Sequence, residues 1–316
     1  MKYKIWFEKW LRHYVEPSSK QRTSRQYLKA AKLHILPCLG DYELSDLTPY
    51  VLQKFITDLM TDGNRLTGKG LSPNYVNSII SVLQNSLKTA RLAGYLTEYS
   101  ADKIKRPKTK EKQVDCFTLK EQKTIEKAAF SAKKNKYRGI VLCLYTGLRI
   151  GELLALEWSD IDFEKGVLSV AKTCYDGNVN GKHVRIIDSP KTENSRRQIP
   201  LSKSLIKLLK DLKKKSKCEF VIADREKPVF VRSYQRTFEL FLKKNGLPRK
   251  GFHSLRHTFA TRALECGMDV KTLSELLGHK NATITLNRYV HSLFVHKKEM
   301  MNRLEKSVGE YFTAQQ

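Results

Sequence analysis

One apolar segment, residues 140–156, restricts how this chain can fold more than any other part of the sequence. It reads IVLCLYTGLRIGELLAL, and the break at Gly147 predicts two buried helices joined by a tight turn. Arg149 lies just inside the second helix. A guanidinium in such apolar surroundings is unfavourable unless an anionic group meets it. Its partner is therefore Glu152, another carboxylate of the protein, or an anion from outside.

Residues 251–289 set several polar side chains into a helical pattern. His253 and Arg256 are three residues apart near its start, so both side chains leave the same face of one helical turn. An apolar stripe continues behind them, formed by Ala260, Ala263 and Leu264. Such a stripe is typical of a helix anchored against a core.

The same stretch ends with a second histidine and a tyrosine. His279 follows Arg256 by 23 residues and comes directly after Gly278, a residue type expected at a helix C-terminus. Tyr289 lies ten residues further on. A guanidinium matches two oxygens of a phosphate, an imidazole transfers protons near neutral pH, and a phenol becomes a nucleophile when cations and a base help to deprotonate it. These residue types fit a site in which a phenolic oxygen attacks phosphorus without a metal ion.

The charge of the chain indicates a polyanionic partner. It has 59 Lys and Arg against 32 Asp and Glu, a formal net charge of +27, while 41% of its residues are hydrophobic, as in a folded protein. A membrane surface is the competing partner, but no apolar run approaches the roughly 20 residues of a membrane span, and the first residues are charged throughout. The charge therefore favours a polyanion, and not a membrane, as the partner.

Cysteine usage indicates the compartment. The six cysteines are scattered, with no C-x-x-C pair. This argues against a zinc site and against a disulfide framework, and it favours a reducing compartment, most simply the bacterial cytoplasm.

Residues 1–105 predict a helical domain. Aromatic and apolar residues recur at helical spacing in the first helix, at Trp6, Phe7, Trp10, Leu11 and Tyr14. We interpret this stripe as core. Further helices are predicted over about 23–36, ending before a proline, and from two cap-proline pairs at 48–49 and 72–73, the last of them running to residue 92.

Residues 106–116 predict a basic linker, because they are rich in lysine, include Pro107 and lack apolar periodicity. A second domain, 117–316, is expected to open with a capping box between Thr118 and Glu121. Three alternating strands over 166–172, 183–188 and 195–201 predict one antiparallel sheet, followed by helices over 201–212 and 234–245. The expected fold is therefore mainly α with a small antiparallel β-sheet, the second domain being α+β.

The motif at residues 145–154, YTGLR-x-x-ELL, together with the later His-x-x-Arg, His and Tyr, resembles the signature of the tyrosine recombinases, the phage integrase family. That signature is Arg, Lys, His-x-x-Arg, His or Trp, and Tyr. Its matching positions here are Arg149, His253, Arg256, His279 and Tyr289. A complete set argues against a decayed relative.

The family's lysine lies in a hairpin, and the resemblance assigns it to Lys191, in a Ser-Pro-Lys-Thr turn followed by Arg-x-Ile-Pro. Lys172 is the second candidate if the register of the hairpin differs. Glu152 matches the family's accessory acidic position, which steadies the site rather than reacting.

The N-terminal part resembles the SAM-like core-binding domain of the same family, through the segment HILPCLG at 34–40. The resemblance implies a helical bundle that clamps DNA on the side opposite the catalytic domain. Candidate DNA contacts are Lys29, Lys32, Lys69, Asn74, Asn77 and Lys88.

The resemblance also implies the chemistry. Tyr289 would attack a phosphate to give a 3′-phosphotyrosine and a free 5′-hydroxyl, while the two arginines neutralise the growing charge and His279 adds a hydrogen bond. His253 would accept the phenolic proton, and Lys191 would protonate the departing oxygen. Neither a metal nor any other cofactor is implied.

At the level of the whole protein, the resemblance implies a site-specific recombinase that integrates or excises a phage or conjugative transposon. Four protomers on two duplexes would exchange a C-terminal helix, 292–316, although packing of this helix within its own chain stays open. Such integrases often carry an additional N-terminal arm-binding domain, so either the protein lacks one or the sequence is part of a longer chain.

Two alternatives stay open at this point. A type IB topoisomerase-like relaxase would share the chemistry but reseal the same strand. A non-catalytic DNA-binding regulator derived from the family would keep the fold alone.

Overall fold

The computed structural model describes residues 1–64, 67–98, 100–109, 115–132, 134–188, 196–224 and 227–279, together with residues 283, 301–302 and 304–305. The chain divides into two compact parts, an N-terminal unit (Met1–Glu111) and a C-terminal unit (Lys112–Gln316). Their boundary falls within the predicted linker 106–116. Across the described ranges, no helix is both long enough and apolar enough to cross a membrane.

The N-terminal unit is built from helices. They are α1 (Tyr3–Trp10), α2 (Gln21–Ala30), α3 (Leu36–Leu39), α4 (Pro49–Thr61) and α5 (Pro73–Leu92). Two π-helical segments, Leu11–Val15 and Ala31–Ile35, extend α1 and join α2 to α3. Short 3₁₀ turns lie at Leu44–Asp46 and Ser100–Asp102.

The predicted aromatic stripe of α1 forms the core of this unit. Trp6 and Trp10 are buried against α5, where their indole N–H groups donate to the Ser86 carbonyl and the Thr89 hydroxyl, each at 3.1 Å. These bonds satisfy the polar edge of each ring inside the core. Tyr14 is only partly covered: its ring centroid lies 6.1 Å from that of Trp6, but the residue is exposed.

The second predicted helix does not end before Pro37. The helical path continues through the π-helical segment into α3, which contains Pro37 in its first turn. In a regular α-helix the proline ring would clash with the carbonyl four residues earlier. Here the Leu36 N–H donates to the Ala31 carbonyl, five residues back, so the wider turn accommodates the proline.

The predicted helix starts are confirmed. The hydroxyls of Thr48 and Ser72 accept hydrogen bonds from backbone N–H groups in the first turns of α4 and α5. Thr118 and Glu121 form the expected capping box of the first helix of the C-terminal unit, with N–H to side-chain oxygen distances of 2.8 and 3.2 Å. These caps depend on neighbouring residues alone, so they can be read directly from sequence.

The C-terminal unit combines helices with short antiparallel strands. Its helices are α6 (Leu119–Ser131), α7 (Arg138–Thr146), α8 (Ile150–Ala155), α9 (Lys203–Lys215), α10 (Val231–Lys244), α11 (His253–Glu265) and α12 (Val270–Leu277). Its strands are β1 (Ile161–Asp162), β2 (Val167–Val170), β3 (Thr173–Val179), β4 (Lys182–Asp188), β5 (Arg197–Pro200), β6 (Ala223–Asp224) and β7 (Lys227–Pro228). The predicted fold, mainly α with a small amount of antiparallel sheet, is confirmed.

The predicted grouping of strands into one sheet is wrong. Strand β2 pairs with β1 and β5, whereas β4 pairs with β3 in a separate hairpin. The hairpin turns at Asn180 and Gly181, with φ angles of 51° and 78°. A two-residue turn with two positive φ angles places its flanking residues opposite each other. Val179 therefore pairs with Lys182, and β4 pairs with β3.

The apolar segment 140–156 lies at the centre of the C-terminal unit, as predicted. Helices α7 and α8 are buried over most of their length and pack in one core with α10 and with β2 and β5. They are joined through Gly147, which has a φ of 64°. A Cβ atom at this position would lie 2.6 Å from the Phe259 ring, so both conformation and space favour glycine.

Candidate active site

Arg149 occupies the N-cap position of α8, immediately after the glycine turn. Its Nη1 donates to Oε1 of Glu152 at 2.7 Å, and its backbone N–H donates to Oε2 of the same carboxylate at 2.9 Å. Its Nη2 donates to the Gly278 carbonyl at 3.3 Å. The Arg149 side chain is 37% exposed, so it keeps a face toward solvent while its base is fixed by the protein.

Glu152 holds two arginines at once. Besides Arg149, it accepts two hydrogen bonds from Arg197, with Nη2 to Oε2 at 2.8 Å and Nη1 to Oε1 at 3.2 Å. Burial alone would raise the pKa of this carboxyl, but the hydrogen bonds and charge of Arg197, and then the charge of Arg149, lower the pKa to about 2. Glu152 is therefore ionised at any pH at which the protein would act.

Arg256 is almost completely buried, with 1% of its surface exposed. It projects from the first turn of α11 and donates to two backbone carbonyls, Gly147 at 2.9 Å and Leu277 at 2.6 Å. One of these bonds reaches the α7–α8 turn and the other reaches the end of α12. Arg256 thus joins the two segments that flank Arg149.

Three arginines meet at the C-terminus of α12. The carbonyls of Leu276, Leu277 and Gly278 accept hydrogen bonds from Arg197 Nε at 2.6 Å, Arg256 Nη2 at 2.6 Å and Arg149 Nη2 at 3.3 Å, respectively. The last carbonyls of a helix lack partners within the helix, and they carry the negative end of its dipole. This end of α12 therefore provides acceptors around which three cations can be collected. We call the group of Arg149, Glu152, Arg197 and Arg256 the arginine cluster.

His279 is fixed by the same helix end. Gly278 adopts a left-handed conformation with a φ of 63°, and the His279 N–H donates to the Ser274 carbonyl at 3.0 Å. This is the hydrogen-bonding pattern of a glycine-terminated helix. Since Gly278 also contacts the arginine cluster, the backbone position of His279 is tied to that cluster.

His253 is the first residue of α11, one turn before Arg256. Its ring lies edge-to-face with that of His257, with 4.5 Å between the centroids. His257 was not singled out in the sequence, although its i, i+4 spacing from His253 predicts this contact.

The structure thus brings together Arg149, Glu152, Arg256 and the backbone of His279. Lys191 and Tyr289 lie outside the described residues, as does nearly all of the predicted exchange helix 292–316. Lys172, the second candidate for the family's lysine, contacts Glu157 at 2.7 Å and Asp160 at 3.1 Å. Partial burial would lower the pKa of Lys172, but hydrogen bonds to these two carboxylates raise it above its usual value.

Arg197, the arginine of the Arg-x-Ile-Pro motif, is the cluster member to which the sequence analysis assigned no role. In β5 it lies two residues before Ile199, which is buried, so both side chains belong to the same face of the strand. A charged residue on the inward face of a short strand was the available signal. Its partner Glu152 is 45 residues away in sequence, so spacing could not have identified the contact.

The six candidate DNA contacts all lie in the N-terminal unit. Five of them, Lys29, Lys32, Lys69, Asn74 and Lys88, are exposed. Asn77 is half-buried, and its amide donates to the Pro107 carbonyl at 3.0 Å. Asn77 therefore ties the start of the predicted linker to α5. Within the described ranges, no three His, Cys, Asp or Glu residues are grouped so as to hold a metal ion.

Comparison with known families gives two matches that together span most of the chain. Residues 116–296 match the phage integrase family, and residues 2–60 match the N-terminal SAM-like domain of phage integrases. A tyrosine recombinase XerC-like protein of Caldanaerobacter subterraneus subsp. tengcongensis is 31% identical, over 94% of this chain and 80% of that protein. The ICEBs1 integrase of Bacillus subtilis is 27% identical, over 88% of this chain and 77% of that protein.

Solved structures give a consistent result. The Tn1549 transposon integrase in complex with transposon right end DNA superposes with a TM-score of 0.81 and 25% identity, over 96% of this chain and 99% of that one. A lambda integrase tetramer bound to a Holliday junction gives a TM-score of 0.69 over 92% of this chain and 77% of that one. Its identity is 23%, so this second likeness concerns the fold alone.

Proposed function

Since this chain belongs to the phage integrase family and is a tyrosine-type site-specific recombinase, we propose that its arginine cluster binds the phosphate at which DNA is cut and rejoined. The observation that carries this proposal is the charge of the cluster. Three guanidiniums gather at the end of α12, where each donates to a neutral backbone carbonyl, and among the described residues two of them also pair with the carboxylate of Glu152. Such an excess of fixed positive charge, with Arg149 partly open to solvent, favours an anion.

Preorganised cations stabilise charge that develops during phosphoryl transfer. As the nucleophile approaches phosphorus, negative charge grows on the non-bridging oxygens. Arg149 and Arg256 would neutralise this charge, and His279 would donate one further hydrogen bond to the same oxygens. Because the protein already holds these groups, little reorganisation is needed when the DNA arrives.

We assign the nucleophile to Tyr289. Its phenolic oxygen forms a bond to phosphorus while the bond from phosphorus to the 5′-oxygen breaks, which leaves a 3′-phosphotyrosine and a 5′-hydroxyl. His253 accepts the phenolic proton, and Lys191 donates a proton to the departing oxygen, which would otherwise leave as an unfavourable alkoxide. Rejoining is the reverse reaction, with the 5′-hydroxyl of the partner duplex as nucleophile.

The assignment of the general acid to Lys191 is supported by the contacts of Lys172. A general acid must release its proton to the substrate, and a pKa near the working pH favours this transfer. The two carboxylates beside Lys172 shift its pKa in the unfavourable direction.

We further propose that the two units have different roles. The N-terminal unit, through Lys29, Lys32, Lys69, Asn74 and Lys88, would bind the DNA backbone, and four protomers on two duplexes would exchange the segment 292–316. The reaction would take place in the bacterial cytoplasm, a reducing compartment in which cysteines stay as thiols. The substrate would be the ends of the mobile element that encodes the protein.

The proposal is tested with a nicked suicide duplex that carries an end of the element, on which cleavage releases a short strand and traps the covalent complex. Tyr289→Phe should bind this duplex with an unchanged dissociation constant but form no adduct on a denaturing gel. Tyr145→Phe is the matched control, because this exposed tyrosine of the same unit donates its hydroxyl to Glu126. It should form the adduct at the wild-type rate.

Three outcomes would contradict the proposal. An adduct that persists in Tyr289→Phe would remove Tyr289 from the role of nucleophile. Relaxation of plasmids lacking the site, without recombination between two sites, would identify a relaxase instead. Binding by the wild-type protein without any adduct would identify a DNA-binding regulator.

A further inference from the structure

Arg197 and Arg149 both join Glu152 to the end of α12, but the bond from Arg197 Nε to the Leu276 carbonyl is shorter, at 2.6 Å, than the 3.3 Å bond from Arg149 Nη2 to the Gly278 carbonyl. The two terminal nitrogens of Arg197 bind both oxygens of Glu152, and its Nε binds the Leu276 carbonyl in the last turn of α12. A planar guanidinium can make this fork and the additional bond at the same time, whereas an ammonium cannot. The Arg197 side chain is only 5% exposed.

The surroundings of Arg197 are fitted to it. A Cβ atom at Gly278 would lie 3.1 Å from Arg197 Nη1 and 3.2 Å from its Cδ, so the absence of a side chain at this position makes room for the guanidinium. Glycine is thus favoured at the α12 terminus by its φ of 63° and, independently, by the close approach of Arg197. His279 follows directly after this glycine.

Direct contact between Arg197 and the DNA phosphate does not fit these observations. The guanidinium is buried, and all three of its nitrogens already donate to protein acceptors. Its effect on the reaction must therefore pass through the groups that it holds. These groups are Glu152, which in turn holds Arg149, and the end of α12, which is followed by His279.

We infer that Arg197 is a positioning residue of the recombination reaction, which sets the distance between Arg149 and His279 by joining Glu152 to the C-terminus of α12. The inference rests on the proposed role of these two groups in binding the phosphate. A displacement of about 1 Å in such a site can slow a reaction about 100-fold without loss of substrate binding. Arg197 would therefore influence the rate of cleavage more than the affinity for DNA.

The charges around Glu152 predict a second effect of losing Arg197, a change in the pH dependence of cleavage. Arg149 faces it from α8 and Arg197 from β5. Among the described residues, Cys143 of α7 also interacts with it: burial and then the charge of Glu152 raise the pKa of the Cys143 thiol, while the charge of Arg256 of α11 lowers it. Of these, Arg197 makes the strongest contribution to keeping Glu152 ionised. Loss of Arg197 should therefore make Glu152 easier to protonate, and a neutral Glu152 holds Arg149 less firmly.

The experiment compares Arg197→Met and Arg197→Lys with Arg196→Met, which removes the same charge from the adjacent, exposed arginine. Single-turnover cleavage of the suicide duplex and the dissociation constant for the uncleaved duplex are measured for each full-length variant from pH 5 to pH 8. We expect Arg197→Met to cleave on the order of 100-fold more slowly than Arg196→Met, with dissociation constants that agree within about threefold. Arg197→Lys should recover part of the rate, because it restores the charge but only part of the fork.

Two further measurements separate positioning from a general loss of structure. The ratio of the Arg197→Met rate to the wild-type rate should fall as the pH is lowered toward 5, because protonation of His253 would slow both proteins alike. The double variant Arg197→Met/Glu152→Gln should cleave no more slowly than the slower of its two single variants, and its rate should no longer show that added dependence on pH. If Arg197→Met does not fold, Arg197→Lys is compared with Arg196→Met in the same assays.

Equal cleavage rates for the Arg197 and Arg196 variants would overturn the inference, as would losses that multiply in the double variant or a loss confined to DNA affinity. Adduct formation by the wild-type protein is recorded in every experiment. If the wild-type protein forms no adduct, the proposed function fails; if it does form one and the Arg197 variants match it, only the role of Arg197 fails.

Discussion

Replacement of Glu152 by glutamine should destabilise the C-terminal unit in a strongly pH-dependent manner. The pKa of Glu152 falls from 4.5 to about 2 in the folded protein. This shift corresponds to about 3 kcal/mol of stabilisation of the folded state when the carboxylate is ionised. Glu152→Gln removes that charge and leaves the buried guanidinium of Arg197 without its counter-ion. Breaking a buried pair in this way typically costs about 3–5 kcal/mol, so we expect a loss of about 3 kcal/mol or more at pH 7.

The pH dependence follows from the direction of the pKa shift. Because the folded-state pKa lies below the unfolded value of 4.5, the stabilisation is complete well above pH 4.5 and disappears as the pH falls toward about 2. The free energies of unfolding of the wild-type protein and Glu152→Gln should therefore differ most at pH 7. They should converge as the pH is lowered from 5 to 3.

Urea denaturation followed by circular dichroism at pH 7, 5 and 3.5 measures this difference. The transition of the N-terminal unit is common to both proteins, so only the transition of the C-terminal unit should shift. Glu239→Gln is the matched control, because Glu239 pairs at 3.3 Å with Arg236, which is 69% exposed. Exposed pairs contribute less than about 1 kcal/mol. A loss below about 1 kcal/mol in Glu152→Gln, or an equal loss at pH 7 and pH 3.5, would refute the reasoning.

Three further predictions follow from other features of the C-terminal unit. Gly147→Ala should lower the free energy of unfolding by about 1–3 kcal/mol more than Gly181→Ala. Both glycines have a positive φ, but of the two only Gly147 has a neighbour within 4 Å of an added Cβ atom. Equal losses in thermal melts would contradict this. Thr118→Ala should cost about 1 kcal/mol in the same melts through loss of the capping box, whereas Thr124→Ala, inside α6, should cost less. Lys191→Met should slow cleavage about 100-fold or more, and a 5′-bridging sulfur in the substrate should restore the rate because a thiolate leaves without protonation. Lys172→Met should cleave at close to the wild-type rate. If Lys172→Met is the slower variant instead, Lys172 is the general acid.

The features that could be predicted from sequence are those determined by neighbouring residues. The caps at Thr48, Ser72 and Thr118 and the glycine at the end of α12 each act within one helical turn, and each was confirmed. The pairing of Arg149 with Glu152 belongs to the same class, since these residues are three apart. The membership of the phage integrase family, which rested on the motif around them, was also confirmed.

The errors and omissions arose where distant contacts or backbone geometry decided the outcome. The single-sheet prediction is wrong because the Asn180-Gly181 turn, and not the alternation within each strand, fixes the partner of β4. The predicted helix end before Pro37 is wrong because a π-helical segment, a matter of backbone geometry, carries the helix past the proline. The carbonyl contacts of Arg256 could not be predicted at all, because every residue type has a carbonyl and sequence does not show which ones meet.

Helix α12 sets the spacing of the site through its length. Its N-terminus is fixed by Asp269, whose carboxylate accepts from the Thr272 N–H at 2.9 Å, and its C-terminus presents three successive carbonyls to three arginines. One residue inserted between these ends would turn the terminal carbonyls by about 100° around the helix axis and withdraw them from all three guanidiniums together. Substitutions on the outer face of α12 should be tolerated, whereas insertions and deletions within the helix should abolish the reaction.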